Sequence, residues 1–174
     1  MQVYLGRVET KFGTVHYAVT EQGAVAITVP GQAQAEAFGI LERRGFKAAD
    51  CLPDTQGLHN VKKELEEYFS GTRREFSFPL DMQGTEFELR VWQALRDIPY
   101  GERRSYSDIA RAVGVPKGAR AVGGANSRNP LPLVIPCHRV CAQGGGLGGF
   151  AGGLECKRFL LELEQRSLAG ECSR

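Results

Sequence analysis

No apolar run in this 174-residue chain is long enough to cross a bilayer. The N-terminus also lacks the charged-then-apolar pattern of a secretion signal, which predicts an intracellular, cytoplasmic protein. The cysteines, at positions 51, 137, 141, 156 and 172, are odd in number and have no paired framework. A disulfide scaffold is therefore excluded, and a reducing compartment fits. The first half offers only Cys51, His16 and His59 as soft ligands, too few for a closed tetrahedral zinc site. No metal and no cofactor are expected. The most informative absence is of negative charge. Between Asp108 and Glu155 there is no acid, while Arg111, Lys117, Arg120, Arg128 and Arg139 all fall there. A long stretch of one sign with no counter-charge suits a polyanionic partner.

What is present reads as two domains. Val3-Tyr4-Leu5, Val15 to Val19 and Ala24 to Val29, punctuated by Gly13 and Gly23, predict an antiparallel meander. Gln32 to Arg44 predicts a helix stopped by Gly45, and Asn60 to Ser70 a second one, with Val61, Leu65, Tyr68 and Phe69 as its apolar stripe. Phe76-Ser77-Phe78 alternates as a short strand. This half, residues 1–80, is an α/β scaffold without a catalytic constellation. Residues 81–84 are the expected linker, and residues 85–174 the second domain. Thr85 and Glu88 form a capping box before the stripe of Phe87, Val91, Leu95 and Ile98, with Trp92 beside it as a core anchor. Ser107 is the expected cap of a short helix through Ala112. A turn over Gly114 to Gly118 and a second helix over Ala119 to Ser127 complete a helix-turn-helix pattern. That second helix is built from Ala119, Ala121, Val122, Gly123, Gly124 and Ala125. It carries too few long polar side chains to read base edges. Sequence-independent binding follows, with Arg120 available to enter a base stack.

The densest chemistry is Ile135-Pro136-Cys137-His138-Arg139-Val140, followed by the glycine run Gly144 to Gly149. The prolines at 130, 132 and 136 rule out a helix on entry and hold the thiol rigidly before a permissive loop. A thiolate is the competent nucleophile, and an adjacent imidazole favours it. Neighbours on a strand face opposite ways, so His138 would act through a water or a local turn. Arg139 is either solvated or paired with a carboxylate. A last helix is expected from Leu154 to about Arg166, buried by Phe159, Leu160 and Leu163, with Glu164 either exposed or turned toward His138.

Pro136-Cys137-His138-Arg139-Val140 resembles the active-site signature of the O6-alkylguanine-DNA alkyltransferases. Val91-Trp92, Ile98 to Glu102, Ser105-Tyr106, Arg120 to Gly123, Asn129-Pro130, Gly152-Gly153-Leu154 and Leu160-Leu161 with Glu164 match the same family in order and spacing. The resemblance covers Thr85 to Glu164; the first 80 residues resemble the family in layout. It implies an α+β fold, with an N-terminal ribonuclease-H-like sheet-and-helix domain and a helical C-terminal domain. It also implies that double-stranded DNA containing alkylated guanine is bound through its minor groove and the damaged base flipped out. Cys137 would take the alkyl group once, in a stoichiometric reaction, with alkylated thymine a poorer substrate. By the same resemblance His138 and Glu164 withdraw the thiol proton, Tyr106 serves the leaving base and Asn129 braces the turn. The DNA surface would be Arg120, Tyr106, Ala119, Ala121, Gly123, Gly124 and Arg128. The pocket would be Val140, Phe150, Ala151 and Arg139. Phe150 stands where many members have tyrosine, and Ala151 where some have serine. A monomer is expected, nucleoid-associated in a bacterium, with cooperation between copies on DNA left open.

Four alternatives remain at this level. The alkyltransferase-like damage sensors share the fold but carry tryptophan in place of the cysteine, and Cys137 argues against them. A cysteine hydrolase using Cys137, His138 and Glu164 would need an oxyanion hole. A zinc site from Cys137, His138 and Cys141 would need Cys156 as its fourth ligand. A plain helix-turn-helix regulator is disfavoured by its poor base-reading helix.

Overall fold

Alternating apolar residues on either side of Lys11-Phe12 fold back as β1 (Tyr4–Thr10) and β2 (Gly13–Thr20), paired antiparallel from Tyr4 opposite Val19 to Thr10 opposite Gly13. A computed structural model describes residues 1–170, which divide after Met82 into two compact units. In the first unit β3 (Gly23–Ile27) pairs with β2 through a register shift at Ala18/Val19. The sheet order is β3-β2-β1-β4. Helix α1 (Gln34–Arg43) lays Ala37 and Leu41 on Val3, Ala18, Val25 and Ala26. β4 (Leu52–Pro53) adds to β1 in parallel, a strand too short to leave a periodic signal. Helix α2 (Val61–Phe69) buries Val61, Leu65 and Tyr68. Gly6 is required where it stands: a Cβ there would lie 2.2 Å from the Tyr17 ring, whose hydroxyl donates to Asp54 at 2.7 Å.

One expectation fails here. Phe76-Ser77-Phe78 is not a strand, because the Ser77 amide and hydroxyl both donate to buried Glu64 rather than to a neighbouring strand. Leu80 makes the strand-like bridge instead, with Ala24. His59 is structural: its Nε2 lies 3.0 Å from the carbonyl oxygens of both Thr20 and Glu21.

The second unit opens with α3 (Glu86–Arg96), capped by the Thr85/Glu88 box. Trp92 is 1% exposed and donates from Nε1 to the Ala125 carbonyl at 2.9 Å. β5 (Arg104–Ser105) leads directly into α4 (Tyr106–Ala112). The cap is therefore Ser105, not Ser107: the strand delivers Ser105 to the boundary, and it exchanges bonds with Asp108 at 3.0 and 2.8 Å. After the turn, α5 (Ala119–Ser127) completes the helix-turn-helix. The chain then passes through Asn129–Pro136 to a single 3-10 turn over Cys137–Arg139. β6 (Val140–Cys141) pairs in parallel with β5, and α6 (Leu154–Leu168) follows the glycine loop. Cys172 lies outside the described residues. No helix among them is long and apolar enough to cross a membrane.

Candidate active site

Proline puts Cys137 in place. Pro136 has φ −80° and ψ 67°, and the Cys137 amide donates to the Ile135 carbonyl at 2.7 Å, which is an inverse γ-turn with proline at its centre. Asn129 braces the same turn, donating from Nδ2 to the Ile135 carbonyl at 2.8 Å and accepting from the Leu131 amide at 2.9 Å. Its side chain also favours the ionised form of the thiol. Cys137 is 6% exposed. Burial pushes its thiol up to about 11, against the opposing influence of Asn129, the Lys157 charge and the amides of Cys137 and His138. At neutral pH the resting sulfur is a protonated thiol, so a nucleophile forms only when a base takes the proton.

The next residue is an imidazole. The 3-10 turn sends the His138 ring inward, fully buried, with Nε2 2.6 Å from Glu164 Oε2. Among the described residues its Nδ1 has no hydrogen-bond partner. Burial lowers the His138 pKa; Glu164 opposes this, and Arg139 and Lys157 add to it. Burial would raise the Glu164 carboxyl, but His138 and Arg139 hold it well below the usual carboxylate range. The resting arrangement is thus an ionised Glu164, a neutral His138 and a protonated Cys137.

Of the two readings of Arg139, the structure takes the carboxylate pair: the side chain is 6% exposed, and Nε and Nη2 donate to the two oxygens of Glu164 at 2.9 and 3.1 Å. The turn aims it at α6 because its third donor reaches the Ile98 carbonyl at 2.8 Å. Val140 is buried beside it.

The mouth of the site is made by Tyr106 and the glycine loop. Tyr106, half-buried, donates from its hydroxyl to the Gly149 carbonyl at 3.4 Å. Burial and the nearby Cys137 and Cys141 raise its pKa, so it stays a donor. Gly148, at φ +72°, lies so close that a Cβ would be 3.1 Å from the Tyr106 ring. Phe150 is half-buried and Ala151 exposed at the end of this loop.

One residue of the site escaped the sequence reading. Lys157 is 0% exposed, and its ammonium donates to the carbonyls of Val140, Leu147 and Gly149, with the Phe150 ring 6.0 Å away. It ties the glycine loop to the strand after Cys137. The signal was spacing: Lys157 lies seven residues before Glu164, hence on the same helix face.

Away from the thiol, α5 turns Arg120 and Ala121 to solvent with Ala119, Gly123 and Gly124 partly exposed, while Val122, Ala125 and Asn126 are buried. A Cβ on Gly123 would lie 3.9 Å from the Tyr106 ring, so this face adjoins the mouth. No acid pairs with Arg120 among the described residues. Arg128 differs: its Nε is ion-paired with Glu88, the glutamate that caps α3, so its charge is already met. Among the described residues no group of three His, Cys, Asp or Glu side chains could hold a metal.

Two family patterns match the chain. The ribonuclease-like domain of 6-O-methylguanine DNA methyltransferase covers residues 3–82, and the DNA binding domain of the same family covers residues 86–166. The methylated-DNA–protein-cysteine methyltransferase of Methanosarcina acetivorans is 40% identical over 155 residues, 86% of this chain and 98% of that protein. The constitutive one of Bacillus subtilis is 55% identical over 115 residues, 66% of this chain and 70% of its own length. The crystal structure of the Mycobacterium tuberculosis O6-methylguanine methyltransferase superposes with a TM-score of 0.80 at 36% identity, covering 95% of this chain and 94% of that one. The same protein's complex with DNA gives 0.81 at 36% identity, covering 94% of each. With both halves matched in sequence and in fold, the chain belongs to the O6-alkylguanine-DNA alkyltransferase family of DNA-repair methyltransferases.

Proposed function

We propose that this protein transfers a methyl or larger alkyl group from O6 of guanine in duplex DNA, and less readily from O4 of thymine, to Cys137 Sγ, once per molecule. The observation that carries this reading is the triplet of Cys137, His138 and Glu164. A rigidly held thiol stands next to a buried neutral imidazole with one free ring nitrogen, and the other ring nitrogen is oriented by an ionised carboxylate.

Each side chain then has a chemical task. The small-residue face of α5 approaches the minor groove, and Arg120 occupies the space that the flipped nucleotide leaves. The base enters between Tyr106 and the glycine loop. His138 Nδ1 accepts the thiol proton, directly or through a water, and Glu164 stabilises the imidazolium. The sulfur pair forms the S–C bond in line as the C–O bond breaks, and the electrons of that bond pass to the guanine. The Tyr106 hydroxyl donates to the leaving base as it gains charge. A thioether offers water no good leaving group, so the protein is consumed. The acid-free surface of α5 and the DNA complex solved for the M. tuberculosis relative support the partner. Cys51, Cys137, Cys141 and Cys156 form no disulfide among the described residues, which suits the reducing interior of a cell, where the protein acts as a monomer.

The test is an intact-mass spectrum after incubation with a duplex carrying one O6-methylguanine. One added methyl, mapped to the Cys137 peptide and absent in Cys137→Ala, is the expected result. Lesion-selective binding with no mass change would replace this reading with that of a damage sensor. A hydrolase would show turnover beyond one equivalent.

A further inference from the structure

We propose that Arg139 is a positioning residue for alkyl transfer: by gripping both oxygens of Glu164 it reserves His138 as the proton acceptor for Cys137. The proposal rests on the reading of Cys137 as the acceptor.

Glu164 is 1% exposed and is met by donors at both oxygens. Oε1 receives Arg139 Nε at 2.9 Å and the Gly101 amide at 3.0 Å, while Oε2 receives Arg139 Nη2 at 3.1 Å and faces His138 Nε2 at 2.6 Å. Arg139 is itself immobilised by the Ile98 carbonyl at 2.8 Å and by the Tyr100 ring, 5.4 Å from its guanidinium carbon. This is the bidentate geometry in which arginine best satisfies a carboxylate. A buried carboxylate without such a partner draws a proton or a cation to itself. In this site the nearest group able to become that cation is His138. An imidazole already protonated to serve Glu164 has no capacity left for the thiol proton.

The charged and titratable groups around His138 are Glu164 and Lys157 from α6, and Arg139 and Cys137 from its own turn. Two cations oppose its protonation and one anion favours it. Without Arg139 the two influences are one against one, and the first proton leaves the Cys137–His138 pair at higher pH. This holds whether the proton departs from sulfur or nitrogen.

The experiment measures single-turnover methyl transfer against pH for wild type, Arg139→Gln and Arg139→Lys, with the His138 ring followed by NMR in the DNA-free full chain. The spectrum is simple, since the chain has three histidines. Arg139→Gln should move the acidic limb of the rate profile and the His138 midpoint up by about one pH unit. Arg139→Lys keeps the cation and should hold both near wild type. Superimposable wild-type and Arg139→Gln profiles would overturn the proposal. If Arg139→Gln does not fold, Arg139→Met, which keeps an apolar stem against the Tyr100 ring and removes both donors to Glu164, is compared with wild type. A higher His138 midpoint in Arg139→Met supports the proposal, and equal midpoints overturn it. Wild type that takes no methyl at any pH would sink the transfer reading alone, because the His138 midpoints do not depend on DNA.

Discussion

Replacing Lys157 by methionine tests whether the buried ammonium acts on the thiol or merely on the loop. Methionine keeps much of the length and fills the space without charge. For the fold, two effects oppose one another. The variant relieves the burial of a cation, a penalty of several kcal/mol. It also leaves the carbonyls of Val140, Leu147 and Gly149 without their common donor, at about 1–3 kcal/mol for each one buried. The net change should be about 1 kcal/mol, or roughly 2–4 °C in Tm. For the chemistry the cancellation is only partial, because Lys157 is the charge that lowers the thiol while at His138 it is the smallest of the influences. Lys157 is the cation that offsets burial at Cys137, and with that help the thiol still stands at about 11, so at pH 8 roughly one thiol in a thousand is ionised. Losing the charge should raise the thiol by about one unit or more and slow transfer about tenfold per unit. Quenched single-turnover reactions read by intact mass, run beside thermal melts, give both numbers. The deficit should shrink as pH rises toward the thiol's own range. A rate within about twofold of wild type at every pH would refute the electrostatic argument. A deficit that stays constant with pH would refute it equally, and would assign Lys157 to the placing of the glycine loop.

Stability should also report on His138. Its folded pKa is below the ordinary 6.5, so below that pH the unfolded chain binds a proton that the folded one resists. Urea midpoints should be level above pH 6.5 and fall beneath it by up to about 1.4 kcal/mol per pH unit, and His138→Gln should flatten that slope. Glu164 adds a later loss: its folded pKa is depressed from 4.5, so its stabilisation is complete above that value and drains away as pH falls below it. Arg120→Ala should slow repair of duplex DNA by about tenfold or more while leaving reaction with the free alkylated base unchanged; equal losses on both would make Arg120 a structural residue. Gly6→Ala forces a Cβ to within 2.2 Å of the Tyr17 ring, and thermal melts should show about 3 kcal/mol of destabilisation.

The second half was more legible than the first because its signals are local. Thr85 and Glu88 announce a helix start by themselves, and the turn from Gly114 to Gly118 separates two helices whose periodicity is short but clean. Ser105 was passed over for Ser107 because both can cap, and only the pairing of β5 with β6 decides between them. Phe76-Ser77-Phe78 has strand alternation, yet Glu64, thirteen residues earlier, captures the Ser77 amide. Long-range partners of that kind leave no trace in periodicity. The same holds in the site. Cys137 and His138 stand out by adjacency, but the roles of Arg139 and Lys157 depend on where α6 returns, and a buried lysine reads in sequence as a surface one.

Trp92 gives the molecule an optical handle. It is the only tryptophan in the chain, it is nearly inaccessible, and its indole N–H is bonded to a carbonyl inside α5. Indole emission responds to the loss of such a bond and to the entry of water around the ring. The fluorophore therefore reads the seating of α5, the helix proposed to face DNA, against the body that carries the thiol. A wavelength that holds steady while DNA is titrated in would mean that α5 docks as a rigid blade, with all adjustment on the side of the duplex. A red shift would locate the deformation within the protein, at the α3–α5 contact, without any label having been added.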